Sequence, residues 1–156
     1  MPIATPAGAL WNQRHALAAR RERVLALADA VGRPGDLWPH QWAQLMAFAA
    51  DFGPDLILEL GRGYGNSTCA FTEVAQWDAV GSARVLSLCL STDWSARTRA
   101  EVAKVVPPEW FDHLDAREGD ILGYDFAGAL GGAKRVLLFW DAHGYDVAEC
   151  VLGRIM

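Results

Sequence analysis

The chain has 156 residues, of which 52% are hydrophobic and seven are tryptophan, enough apolar material for one ordinary domain with its own core. A formal net charge of -5, with only two lysines, argues against broad electrostatic attraction to nucleic acid or an anionic membrane, because that attraction needs clustered cations. Cys69, Cys89 and Cys150 are odd in number, far apart and form no CxxC pair, so neither a disulfide framework nor a zinc site is suggested, and no leader-like or membrane-spanning apolar run is found, so a soluble cytoplasmic protein is expected.

From residue 10 to residue 31 apolar side chains recur at helical spacing (Leu10, Leu17, Val24, Leu27, Ala28, Val31), with Arg14, Arg20, Arg21 and Arg23 mostly between them. One amphipathic helix is predicted. Its arginine cluster reads as a solvated face, and its apolar stripe packs on its own sheet or on a second subunit, which leaves a homodimer open. Gly32, Pro34 and Gly35 end this helix, and a second is predicted over 39–52 before Gly53 and Pro54. Residues 1–54 are therefore expected to form a helical segment ahead of an α/β unit over 55–156.

Residues 56–60, Leu-Ile-Leu-Glu-Leu, form a short and almost wholly apolar run, as a parallel strand buried on both faces requires. Gly61-Arg62-Gly63-Tyr64-Gly65 follows at once, and Asn66, Ser67 and Thr68 are N-cap residue types, so a helix lasting to about residue 79 is predicted. A strand over 84–90, a helix over 96–106 stopped by Pro107 and Pro108, and strands over 113–118 and 135–140 continue the alternation. This predicts an α/β, Rossmann-like doubly wound parallel sheet of about four strands with helices on both faces. Val147, Val151, Leu152 and Ile155 begin a further amphipathic helix.

A glycine turn after the first strand of such a sheet lets backbone N–H groups at a helix N-terminus approach a ligand closely. The pattern is GxGxG. The dinucleotide fingerprint needs a glycine where this chain has Asn66, and no GK[ST] follows for a phosphate-gripping loop, so a nicotinamide-dependent enzyme is disfavoured.

The segment Glu59-Leu60-Gly61-Arg62-Gly63-Tyr64-Gly65-Asn66-Ser67-Thr68 resembles motif I of class I S-adenosylmethionine-dependent methyltransferases, in the branch of small-molecule O-methyltransferases and cephalosporin-hydroxylase-like proteins. The resemblance implies that Glu59 orients the methionine amino group and that Gly61, Gly63, Tyr64, Gly65 and Ser67 form the cofactor loop. The family's ribose-binding acid falls at Cys89, with Asp93 four residues on as a substitute or as the N-cap of the next helix. Asp120 and Ile121 match the segment that holds adenine, although Asp120 also suits a simple turn. Asp141 matches the acid that faces the transferring methyl group and can bind a divalent metal, and His143 is a base for a substrate hydroxyl. The implied activity is methyl transfer from S-adenosylmethionine to a small hydroxylated acceptor, and a non-catalytic binding or assembly module of the same fold is the alternative. The family sheet has seven strands, ordered 3-2-1-4-5-7-6, so the resemblance implies a fold cut short after strand four, with activity at this length left open. Asp141 to Asp146 is also similar to the DAHxD metal motif of ureohydrolases, but there the second acid falls where Tyr145 stands.

Overall fold

The computed structural model describes residues 5–81 and 83–156. Thr5 opens the first helix, its hydroxyl accepting from the Gly8 amide at 3.1 Å, and Pro6 follows where a missing N–H costs nothing. The helix expected over 10–31 is in fact two, α1 (Pro6–Ala19) and α2 (Arg21–Val31), broken at Arg20. The two halves serve different neighbours. α1 packs along α3 (Pro39–Phe52), whereas α2 turns Val24, Leu27 and Val31 into the main core, and Arg20 at the break lies over the Trp77 ring, 4.7 Å from its centroid.

Beyond them come β1 (Leu56–Leu60), α4 (Asn66–Ala75), β2 (Arg84–Cys89), α5 (Arg99–Val102), β3 (Leu114–Glu118), α6 (Phe126–Leu130), β4 (Val136–Trp140) and α7 (Tyr145–Cys150). α4 is shorter than expected, and its continuation is a 3-10 turn at Asp78–Val80. The helix expected over 96–106 is a π-helical turn, Trp94–Thr98, running into the brief α5. A second π-helical turn, Val151–Ile155, follows α7.

The four strands are parallel and ordered β3-β2-β1-β4, so the sheet reverses its direction of growth between β1 and β4. The fold is the expected α/β, Rossmann-like one. Strand residues alternate between faces: Ile57 and Val85 join Trp42, Met46, Phe71 and Val74 in one apolar core beneath α2, α3 and α4, while Leu56, Leu58, Leu60, Leu86 and Leu88 meet Ile121, Phe126, Cys150 and Val151 on the other. β1, covered on both faces and paired on both edges, is wholly buried. Among the described residues no helix is long and apolar enough to cross a membrane.

Asp55 holds the amino ends of the strands together. Its carboxylate accepts from the Lys134 and Arg135 amides at 2.8 and 2.9 Å, its own amide donates to the Arg135 carbonyl, and its carbonyl accepts from Arg84. Those two amide hydrogen bonds hold the Asp55 carboxyl below its ordinary range, so its contribution to stability is present above that range and is lost as pH falls through the depressed value. Asp55→Asn should lower the melting temperature at neutral pH, and the deficit should shrink on acidification; thermal melts of both proteins across that range measure it.

Candidate functional site

The carboxyl ends of the strands are fastened side by side. The amide of Gly61 donates to Leu88, that of Gly119 to Cys89 and that of Asp141 to Leu60, at 3.0, 3.0 and 2.8 Å. Above them opens a cleft of about 560 Å³, with walls drawn from the glycine loop (Gly61, Arg62, Gly63, Tyr64), the start of α4 (Asn66, Ser67), and the segments after β2, β3 and β4. It lies at the reversal point of the sheet, where open α/β sheets place their ligands.

Most residues singled out in the sequence meet there: Gly61, Gly63, Tyr64, Ser67, Asp120, Ile121, Asp141 and His143 all line the cleft, together with Cys89. Asp120 also caps the 3-10 turn at Ile121–Gly123 by accepting from the Leu122 amide at 2.9 Å, so its turn-forming role and its place in the cleft coexist. Cys89 is half-buried at the end of β2 and its sulfur accepts from the Ser91 amide at 3.4 Å. Asp93 is not in the wall; its carboxylate takes the Ser91 hydroxyl at 2.5 Å, and it makes no side-chain cap to the turn that follows.

Glu59, near the end of β1, and Gly65, the last loop residue, do not line the cleft. Glu59 is fully buried, and its two carboxylate oxygens accept from the hydroxyls of Ser67 and Thr68. Burial pushes its carboxyl above the ordinary range, opposed by the hydroxyl groups of Ser67, Ser87 and Thr68 and by the nearby Arg62 charge. The three loop glycines also divide by role. A β-carbon on Gly61 would lie 2.7 Å from the Ala142 amide nitrogen, and one on Gly65 would lie 2.7 Å from the Trp94 ring, so both serve close packing. One on Gly63 would meet nothing within 4 Å.

Arg62, Asp36 and Leu37 are cleft residues that the sequence reading did not single out. The Arg62 guanidinium donates to the Ser87 carbonyl and hydroxyl, both at 3.0 Å, and to the Arg117 carbonyl at 3.3 Å, tying the glycine loop across the ends of β2 and β3. A charged residue inside a glycine turn was the available signal for it. Asp36 and Leu37 come from the loop between α2 and α3, far from motif I in the chain, and no local pattern marks them. That loop is clamped to the site by the Arg33 guanidinium, 4.2 Å from the centroid of the Tyr64 ring, and by the Asn66 side chain, which donates to the Arg33 carbonyl at 3.1 Å.

The cleft therefore presents carboxylates from three directions, Asp36, Asp120 and Asp141, while the guanidinium of its one arginine is engaged on the sheet. Among the described residues no group of three or more His, Cys, Asp or Glu side chains is arranged to hold a metal ion. Comparison with protein-family models, with curated proteins and with solved structures finds no match to this chain.

The division among the glycines is testable by thermal melts and ligand titration. Gly61→Ala forces a β-carbon into backbone at positive φ and should cost about 3 kcal/mol or more. Gly63→Ala meets no neighbour and should cost about 1 kcal/mol, the ordinary penalty for a left-handed residue. Equal losses at the two positions would contradict the assignment.

Proposed function

We propose that this chain is the cofactor-binding domain of an S-adenosylmethionine-dependent methyltransferase that acts on a small hydroxylated acceptor. The observation that carries this reading is the acidic cleft beside the glycine loop at the carboxyl ends of the strands. A sulfonium cofactor is positively charged, and Asp36, Asp120 and Asp141 offer it favourable electrostatics. A dinucleotide carries a pyrophosphate that binds on backbone donors at a glycine turn and is repelled by nearby carboxylates. Here both terminal nitrogens of the Arg62 guanidinium donate to the sheet, and Asn66 replaces the third glycine of the dinucleotide fingerprint.

In this reading Ile121, an apolar residue beside Asp120, covers the adenine, and the open face of Gly63 lets the ligand pass close to the backbone. When bound, the cofactor supplies an electrophilic methyl group. Asp141 and His143, both exposed at the end of β4, face the acceptor, and His143 takes the proton from the acceptor hydroxyl as its oxygen attacks. The cleft walls contribute alignment of nucleophile and methyl group, the main lever available to such a displacement.

A second reading, cofactor binding without methyl transfer, is favoured by Cys89. A thiol stands at the end of β2 where the resemblance puts an acid, and a thiol is a poor acceptor for ribose hydroxyls.

Calorimetric titration with S-adenosylhomocysteine tests the proposal. The expected result is saturable binding that Gly63→Val weakens strongly, with protection of the Cys89 thiol from alkylation. Cys69, whose thiol is pushed up by burial and by the Glu59 and Glu73 charges, should resist alkylation with or without ligand. Absence of binding, or a fluorescence response to reduced nicotinamide dinucleotide instead, would overturn the proposal. Binding with no product from a panel of hydroxylated acceptors would favour the second reading.

A further inference from the structure

The resemblance assigned the ligand's amino group to Glu59, but in the structure that carboxylate is fully buried, with the hydroxyls of Ser67 and Thr68 on its two oxygens, and it does not line the cleft. An amino-acid tail in this cleft needs another acceptor for its ammonium group, because a buried unpaired charge is costly. Three carboxylates remain. Asp120 already has one oxygen on the Leu122 amide and stands beyond β3 beside Ile121, and Asp141 follows β4. Asp36 enters the cleft from the α2–α3 loop, which Arg33 and Asn66 lock onto Tyr64 and the start of α4. Arg33, the cation nearest to Asp36 in the chain, is stacked on the Tyr64 ring. Among the described residues the ion pairs are Lys104 with Glu101 and Arg117 with Asp115, so the Asp36 carboxylate is uncommitted.

We infer that Asp36 is the carboxylate that receives the ammonium group of an amino-acid-bearing nucleoside ligand in this cleft. The inference rests on the methyltransferase reading and names a residue that the family pattern does not. The geometry also suits the other end of the same tail, because the N-terminus of α4, opening at Asn66 beside Gly63, carries the partial positive charge that a carboxylate prefers. The α2–α3 loop would thereby read the one part of the ligand that distinguishes an amino-acid-bearing nucleoside from a bare one.

The experiment titrates wild type, Asp36→Asn and Asp141→Asn with two ligands, S-adenosylhomocysteine and 5′-methylthioadenosine, which keeps the adenosine and thioether but lacks the amino acid. Asp36 is exposed and makes no side-chain hydrogen bond within the described residues, so its variant should melt with wild type. Asp36→Asn should weaken S-adenosylhomocysteine on the order of tenfold, the scale of one hydrogen bond to a charged group, and leave 5′-methylthioadenosine unchanged. Unchanged affinity for both ligands, an equal loss on both, or a loss confined to Asp141→Asn would each overturn the assignment while leaving the methyltransferase reading in place. Failure of wild type to bind either nucleoside would remove that reading, and the assignment with it.

Discussion

The carboxyl group of Glu59, buried under the glycine loop and held by the hydroxyls of Ser67 and Thr68, joins the central strand to the first turn of α4. Ser87, opposite Glu59 on β2, extends the contact through its hydroxyl, 3.5 Å from that of Thr68, and Arg62 reaches Ser87 from the loop above. Strand, loop, helix and neighbouring strand thus share one polar network inside an otherwise apolar core. A buried carboxyl without such partners would cost about 1–3 kcal/mol or more, so these side-chain types are needed together.

The cleft inherits its shape from this network. With the loop pulled down on one side by Glu59 and Arg62, Gly61 is pressed against the backbone of Ala142 and Gly65 against Trp94, and Gly63 is left as the loop's open point. The sheet order then brings the ends of β1 and β4 side by side, which sets Asp141 and His143 across from the loop, while Asp120 and Ile121 come from the end of β3. The N-terminal helices contribute more than cover. Their buried residues share a core with the sheet, and the loop between α2 and α3 supplies a wall of the cleft.

The fold was legible in the sequence because its strands are short apolar runs bounded by turns, and a run such as Leu56 to Leu60 has few other uses. Element ends were read less well. The break at Arg20 has no glycine or proline to announce it and follows from two helices seeking different neighbours. The π-helical turn at Trp94–Thr98 opens on Trp94, whose ring packs against Gly65, a contact between residues far apart in the chain. Within the cleft, the loop and the strand ends were visible as motifs, whereas Asp36 and the inward turn of Arg62 depend on tertiary packing. The resemblance makes Glu59 a cofactor contact, and the motif alone does not show that its carboxylate also accepts from the hydroxyls of Ser67 and Thr68.

The central claim is that the Glu59 carboxyl is an interior group held by Ser67 and Thr68, and the pH dependence of stability tests it most directly. A carboxyl whose folded pKa is raised by burial contributes stability that is fully present below its unfolded pKa and is lost as pH rises through the folded value. Melting wild type and Glu59→Gln side by side from acid pH to neutrality should therefore show wild type losing stability relative to the variant as pH rises. A difference that stays flat with pH, as a solvent-facing carboxylate would give, or one that grows in favour of wild type, would contradict the account.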